Sequence, residues 1–419
     1  MKTHTQNTES RITRNARLTT LVCISSGILA LFAGCATYDK STITQNHPDA
    51  GPTDTWGRAW FRPEPQKDKA NILVTGHTNV TVFYATDRKP DLSLGLWKQE
   101  LKRTKDSTLV YYGSSYSPKL QFGSCEVTIP MTHMTGAVEC PTLYKLELSE
   151  DPKKHFTIQD LQPLSTNTFL QQFNSAIEHA NDNAVLVFIH GFNVKFADAV
   201  MRTAQLTHDL RFNGASILYS WPSKGDPYPN NYMHDEDSIQ VTVKHLKEFL
   251  SDVILRSKAR RISLIAHSMG NRALTDVLMQ FAIAGKSRQF DDVVLVAPDI
   301  NEVVFREQIA PAITSTAKRI TLYGSADDRA LKIRTEFVGE FPRLGKFSPN
   351  IPVLPGIETV DASGIDTDLF SFRHSYFAEC WRVVSDLQGL VCFKRAAQDR
   401  KLDQIRDPRG VYWKIPQSN

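Results

Sequence analysis

The 419-residue sequence has no CxxC pair and no clustering of Cys with His at metal-ligand spacing. That argues against a zinc centre, and no metal or other cofactor is expected. Cysteine is scarce altogether, with six in the chain. There is no internal repeat, so no solenoid or propeller is expected. Nor is there a basic excess once residues 1–34 are set aside. Those residues hold Lys2, Arg11, Arg14 and Arg17 against Glu9, which leaves 45 basic (49 − 4) and 44 acidic (45 − 1) side chains, a net +1. Nucleic-acid binders carry a concentrated positive footprint, so no nucleic-acid partner is expected. What the chain does have is 41% hydrophobic and 22% charged residues, the balance of a globular protein.

The N-terminus reads as a targeting segment. Arg11, Arg14 and Arg17 precede the apolar run 18–34, which is at the short end for a membrane span. The run stops at Cys35 behind Ala33 and Gly34, a pattern that resembles the lipobox of bacterial lipoproteins, although Phe32 stands where Leu is usual. The resemblance implies cleavage before Cys35, lipidation of its thiol and membrane association through that lipid. With Ala36 rather than Asp next, it implies the outer membrane, facing the periplasm. The alternative is an uncleaved anchor. The expected organisation is a signal peptide over 1–34, a polar proline-punctuated tether over 35–70, a domain over 71–395 with a strand-rich part at 71–165, and a C-terminal tail over 396–419.

Cys125, Cys140, Cys380 and Cys392 then remain. An even number in an exported chain permits two disulfides. Closeness in sequence favours Cys125–Cys140 and Cys380–Cys392; four free thiols are the alternative.

Strand-like segments such as "NVTVFYATDR" (79–88) and "QFGSCEVTIP" (121–130) fill the first third. From 166 the pattern alternates. "AVLVFI" (184–189), "ASILYSW" (215–221), "RISLIA" (261–266), "DVVLVA" (292–297) and "RITLYG" (319–324) are continuous apolar runs, as parallel strands buried on both faces require. Between them lie helical stripes, for instance Val243, Leu246, Leu250, Val253 and Ile254 in a helix over 238–255. The alternation predicts an α/β fold, a mostly parallel sheet flanked by helices. Four prolines at 342, 349, 352 and 355 predict an irregular loop over 340–365, and a last helix is expected around 374–390.

The chemistry centres on "AHSMG" (266–270). A serine on a sharp strand-to-helix turn is lifted above the carboxyl edge of the sheet, with small residues two before and two after it to relieve crowding. Ala266 stands where glycine is usual. A serine needs a base to take its proton and donors to hold the developing oxyanion. The amides of Phe192, in "FIHGFN" (188–193), and Met269 are the candidate donors, with His190 shaping their loop. The acid and base are expected downstream, as Asp328 in "YGSADDRAL" and His374 in "FRHSYF"; Asp327 and Asp299 are alternative acids. Trp221 and the loop behind it, with Tyr228 and Tyr232, are expected to cover the site, the aromatics either binding an acyl chain or packing the loop itself; the acidic run Asp235–Glu236–Asp237 reads as a solvated helix start, with cation binding the alternative.

Together these residues resemble the α/β-hydrolase superfamily, and more closely a bacterial branch of uncharacterised α/β-hydrolase proteins sharing "VFYATDR", "VFIHGFN", "LYSWPSKG", "AHSMGNRAL", "VLVAPDI", "TLYGSADDRAL" and "HSYF". The resemblance implies an esterase- or lipase-like enzyme with Ser268 as nucleophile, Asp328 as acid and His374 as base, acting on a small-molecule or lipid ester. An amidase or peptidase using the same triad is one alternative. A non-catalytic envelope lipoprotein that keeps the fold is the other.

Overall fold

In a computed structural model the described residues are 76–91, 111–140, 150–225, 230–327, 341–365 and 377–417. All belong to one compact unit, Asp68–Asn419, and residues 1–75 lie outside the described residues. The targeting segment, Cys35 and the tether therefore lie outside them. Among the described residues no helix is long and apolar enough to cross a membrane.

The strands are β1 (His77–Asp91), β2 (Tyr111–Pro130), β3 (Thr157–Leu164), β4 (Ala184–Ile189), β5 (Ala215–Ser220), β6 (Arg261–His267), β7 (Phe290–Val296), β8 (Ala317–Gly324), β9 (Glu358–Asp361), β10 (Asp403–Asp407) and β11 (Gly410–Lys414). They form one sheet in the order β10-β11-β9-β8-β7-β6-β4-β5-β1-β2-β3. Every pairing from β1 through β11 across the middle is parallel. The flanking pairs β1–β2, β2–β3 and β10–β11 are antiparallel. The main helices are α1 (Thr166–His179), α2 (Phe196–Asp209), α3 (Asn230–Val241), α4 (Val243–Arg256), α5 (Gly270–Ile283) and α6 (Phe377–Val391).

The apolar runs become strands because both faces of the sheet are covered. Val185, Val187 and Ile189 of β4 pack into one core with α1, α4 and α5; Ala184, Leu186 and Phe188 pack into the other with α2 and α6. Each such buried Val, Leu or Phe contributes ~1.5–3 kcal/mol relative to exposure.

Four expectations need correction. The helix over 238–255 is two helices that meet at Thr242, whose hydroxyl donates to Asp87 Oδ2 at 2.7 Å. The loop over 340–365 contains β9, and the segment 396–419 is no tail. It holds the β10–β11 hairpin, and β11 pairs in parallel with β9. Neither expected disulfide is formed, since Cys125, Cys140 and Cys392 are free thiols. Cys125 is buried in β2 opposite Val82 of β1, its thiol donating to Val82 O at 3.4 Å, while Cys140 is exposed. Cys392 turns to Leu210 O, 3.3 Å away.

The turn after β2 is latched to the end of α2. His133 Nδ1 lies 2.9 Å from Glu139 Oε2, and its Nε2 lies 2.8 Å from Asp209 Oδ1. Asp209 Oδ2 accepts from Gly136 N at 2.7 Å. His133, His208 and Asp209 place ligand atoms close enough to share a metal ion. Yet both ring nitrogens of His133 face carboxylates, which only the doubly protonated ring satisfies, so the imidazolium is itself the cation there. Burial alone would lower its pKa; the bonds to Asp209 and Glu139 overcome that and raise it to about 9.

Candidate active site

Strand β6 hands the chain to α5 through Ser268, whose φ is +48°. A non-glycine residue there costs of order 1 kcal/mol and persists only where its surroundings hold it. They do so here through the backbone. Ser268 N donates to Val296 O at 2.9 Å, and Ser268 O accepts from Asn271 N and Asp299 N, both at 3.2 Å. The Asn271 side chain adds a bond to Ser268 O at 3.0 Å and one to Val296 O at 3.1 Å. Ala266 is fully buried within β6. Its methyl fits because it is part of the sheet core, which answers the departure from glycine at that position.

Strand β4 lies beside β6, while β5, the next strand in the chain, lies on the other side of β4. Chain order thus reverses between β4 and β6, and crevices open at such reversals beyond the carboxyl ends of parallel strands. The loop after β4 and the Ser268 turn meet there. A Cβ on Gly191 would stand 2.8 Å from His267 Nδ1 and 2.9 Å from Ser268 Cβ. A Cβ on Gly270 would stand 2.4 Å from His190 O. Both glycines are therefore required by close approach. The amides of Phe192 and Met269 have no acceptor among the described residues. They flank the turn from the β4 loop and from the start of α5.

His190 is not placed to act as a base. It is 1% exposed, and burial followed by the charge of Arg88 lowers its pKa well below 6.5. Its bonds fix the tautomer: Nδ1 donates to Gly191 O at 2.9 Å, and Nε2 faces Ser220 Oγ at 3.1 Å and Arg88 Nη2 at 3.4 Å. Arg88 can only donate, so Nε2 is the acceptor. The ring stacks on Trp221 at 5.1 Å, and Trp221 Nε1 donates to His190 O at 2.8 Å. Trp221 is fully buried against this loop, which is the packing role rather than the acyl-binding one. His267 is also neutral, since burial and then Arg202 lower its pKa to about 3.

Two charged residues to which the sequence assigned no part in the site hold the loops. Arg88, at the end of β1, is buried and bonds to residues 190, 194, 220 and 223. Asp235 is fully buried in the middle of α3, not at a solvated helix start. Its Oδ2 accepts from Ser223 Oγ at 2.6 Å and Asn193 N at 3.2 Å, and its Oδ1 from Lys224 N at 2.8 Å. The available signal was a charged pair, Asp87–Arg88, closing a run of β-formers.

Among the candidate acids, Asp299 follows β7 and is committed to arginines. Arg272 Nη2 lies 3.0 Å from its Oδ2, Arg343 Nε lies 3.4 Å from its Oδ1, and Tyr232 OH donates to Oδ2 at 2.6 Å. Asp327 is exposed, and its Oδ2 accepts from Gly364 N at 2.6 Å. Asp328, His374 and Tyr228 lie outside the described residues, as does the side chain of Cys380.

The model of the family described as "Alpha/beta hydrolase of unknown function (DUF900)" matches residues 165–391. That span runs from the start of α1 to the end of α6 and includes Ser268, Asp328 and His374. A comparison with curated protein sequences gives no match. Similar solved structures include a candidate cell surface hydrolase from Lactobacillus plantarum WCFS1, at 12% identity, covering 51% of this chain and 92% of that one with a TM-score of 0.32. An uncharacterised protein from Capnocytophaga ochracea DSM 7271 is 9% identical, with 64% and 59% covered and a TM-score of 0.27. Phospholipase PlaB from Legionella pneumophila is 10% identical, with 55% and 67% covered and a TM-score of 0.25. Likenesses this distant carry no argument about chemistry; the family match does.

Proposed function

The chain belongs to this family of α/β hydrolases of unknown function, and from that premise we propose a serine hydrolase that cleaves carboxylic esters. The observation that carries the reading is Ser268 at φ +48° on the β6–α5 turn, beside two amides without acceptors among the described residues. A hydroxyl is held at the carboxyl edge of the sheet, and the start of α5 contributes its positive field to an anion formed there.

In this reading His374 takes the Ser268 proton as Oγ attacks the ester carbonyl carbon. Phe192 and Met269 amides hold the oxyanion, and Asp328 orients and stabilises the imidazolium. Collapse breaks the bond to the alkoxy oxygen, which leaves with the proton from His374. Water, deprotonated by His374, then attacks the acyl-enzyme and releases the acid and Ser268. The serine reading is tested with a fluorophosphonate probe on the purified protein. Stoichiometric labelling that disappears in Ser268→Ala supports it, and labelling that persists in that variant refutes it. Matched ester and anilide substrates separate ester from amide cleavage.

We also propose that the mature chain begins at Cys35 and is held by lipid in the bacterial envelope, at the outer membrane and facing the periplasm. The basic and apolar pattern over 11–35 and the polar segment behind it support this. Palmitate incorporation that is unaffected by Cys35→Ser refutes it.

A further inference from the structure

Arg88 is 1% exposed, and no carboxylate lies within ion-pair distance of it among the described residues. Burial lowers its pKa to about 10, which leaves it charged at neutral pH. A buried, unpaired charge costs several kcal/mol, and apolar side chains of similar volume would fill the space without that penalty. What the guanidinium offers instead is a rigid fork of five N–H donors. Here all five are used. Nε donates to Ser220 Oγ at 2.8 Å; Nη1 donates to Gly113 O at 3.0 Å and Ser223 O at 2.9 Å; Nη2 donates to Val194 O at 2.8 Å and His190 Nε2 at 3.4 Å.

These acceptors belong to three separate segments: β2, the end of β5, and the loop after β4. The last matters most. His190 and Val194 bracket Phe192, and both are bonded to Arg88. Between them, Asn193 has φ +59° and donates its amide to Asp235, while Val194 N donates to Ser223 Oγ at 3.1 Å. The backbone on either side of Phe192 is thus fixed, and the Phe192 amide itself has no acceptor among the described residues. Arg88 also sets the tautomer of His190, and so the bond from His190 Nδ1 to Gly191 O.

We infer that Arg88 is a positioning residue for the reaction. Its guanidinium holds the 190–194 loop so that the Phe192 amide stays aimed at the oxyanion above Ser268. The inference rests on the serine-hydrolase reading for its catalytic consequence and on the bond network for its geometry. Losing an oxyanion donor outright costs about 10²–10³-fold in kcat. Loosening one costs less, so a loss of about 10–100-fold is expected for Arg88→Lys, which keeps the charge but not the fork, and for Arg88→Ala.

The test uses the purified protein with p-nitrophenyl acetate and butyrate, its active sites counted by fluorophosphonate labelling. The expected result is undiminished labelling stoichiometry, the stated fall in kcat per labelled site, and KM within about threefold of wild type. Added guanidinium should restore part of the rate in Arg88→Ala, because it can enter the space left behind, and none in wild type. Hydrogen exchange at residues 190–194 should quicken in both variants while β7 is unchanged. A kcat per labelled site within twofold of wild type overturns the inference. So does a loss accounted for entirely by fewer folded, labelled molecules. If Arg88→Ala does not fold, Arg88→Lys decides. If wild type neither labels nor turns over, or labelling survives Ser268→Ala, the hydrolase reading fails and the catalytic role falls with it. Unchanged exchange at 190–194 rejects the positioning geometry in either case.

Discussion

Gly270→Ala is the sharpest perturbation of the proposed site, because its consequence follows from distances alone. An added Cβ would lie 2.4 Å from His190 O and 3.1 Å from both Ile189 O and Ile189 Cγ2. The closest comfortable carbon–oxygen contact is about 3.3 Å, so relief needs ~0.9 Å of movement. The obstacles are backbone: Ile189, the last residue of β4, is paired on both sides by β5 and β6 and cannot yield, and His190 follows it at the start of the loop. The first turn of α5 or the 190–194 loop must move instead, and each carries one proposed oxyanion donor. Overpacking of this kind costs ~1–3 kcal/mol, and a 1 Å misplacement costs about 100-fold in rate. Gly270→Ala should therefore lower the urea midpoint and slow fluorophosphonate labelling by about 100-fold. Gly285→Ala is the control. Gly285 has φ +70° and nothing within 4 Å of the added Cβ, so it should lose stability without slowing the probe. If Gly270→Ala labels within threefold of wild type at an unchanged midpoint, the packing argument for the turn is wrong.

Two further outcomes are expected. The folded His133 pKa of about 9 lies above its ordinary 6.5, so the latch contributes full stability below about pH 6.5 and loses it as pH rises through 9. The shift corresponds to ~3 kcal/mol, and the gap in urea midpoint between wild type and His133→Gln should be wide at pH 6 and closed by pH 10; an equal gap at both refutes it. Asp299→Asn leaves Arg272 and Arg343 poorly matched and should destabilise by ~1–3 kcal/mol while labelling stays within about tenfold of wild type, whereas Asp328→Asn should nearly abolish labelling; the reverse pattern would make Asp299 the acid.

The parts of this fold that were readable in the sequence share a physical reason. Strands buried on both faces must be apolar throughout, so β4 to β8 stand out as uninterrupted runs. The Ser268 turn and the 190–193 loop follow such runs directly, and their proposed donors are backbone groups that need only small residues nearby. What stayed hidden depends on partners far away in the chain. Asp235 looks like a surface acid until Asn193, Ser223 and Lys224 converge on it. Arg88 looks like the polar end of a strand until two loops close over it. The β10–β11 hairpin stands out less because its strands are five residues each: β10 carries Asp403, Arg406 and Asp407, and the Val411–Tyr412–Trp413 run of β11 is too short to mark a strand alone. Cys125 and Cys140 are close in sequence, but the pleat of β2 turns the first thiol into the core.

The C-terminal hairpin bears on how the protein is made. β9 completes its pairing only when β11, the last strand in chain order among the described residues, lies beside it. A chain emerging N-terminus first from a ribosome thus carries β9 with one edge unpaired until residues 410–414 are out. Domains fold as units during synthesis where their parts are available. Here one edge of the sheet is withheld until β11 appears, so the growing chain stays unfinished, and open to threading, up to that point.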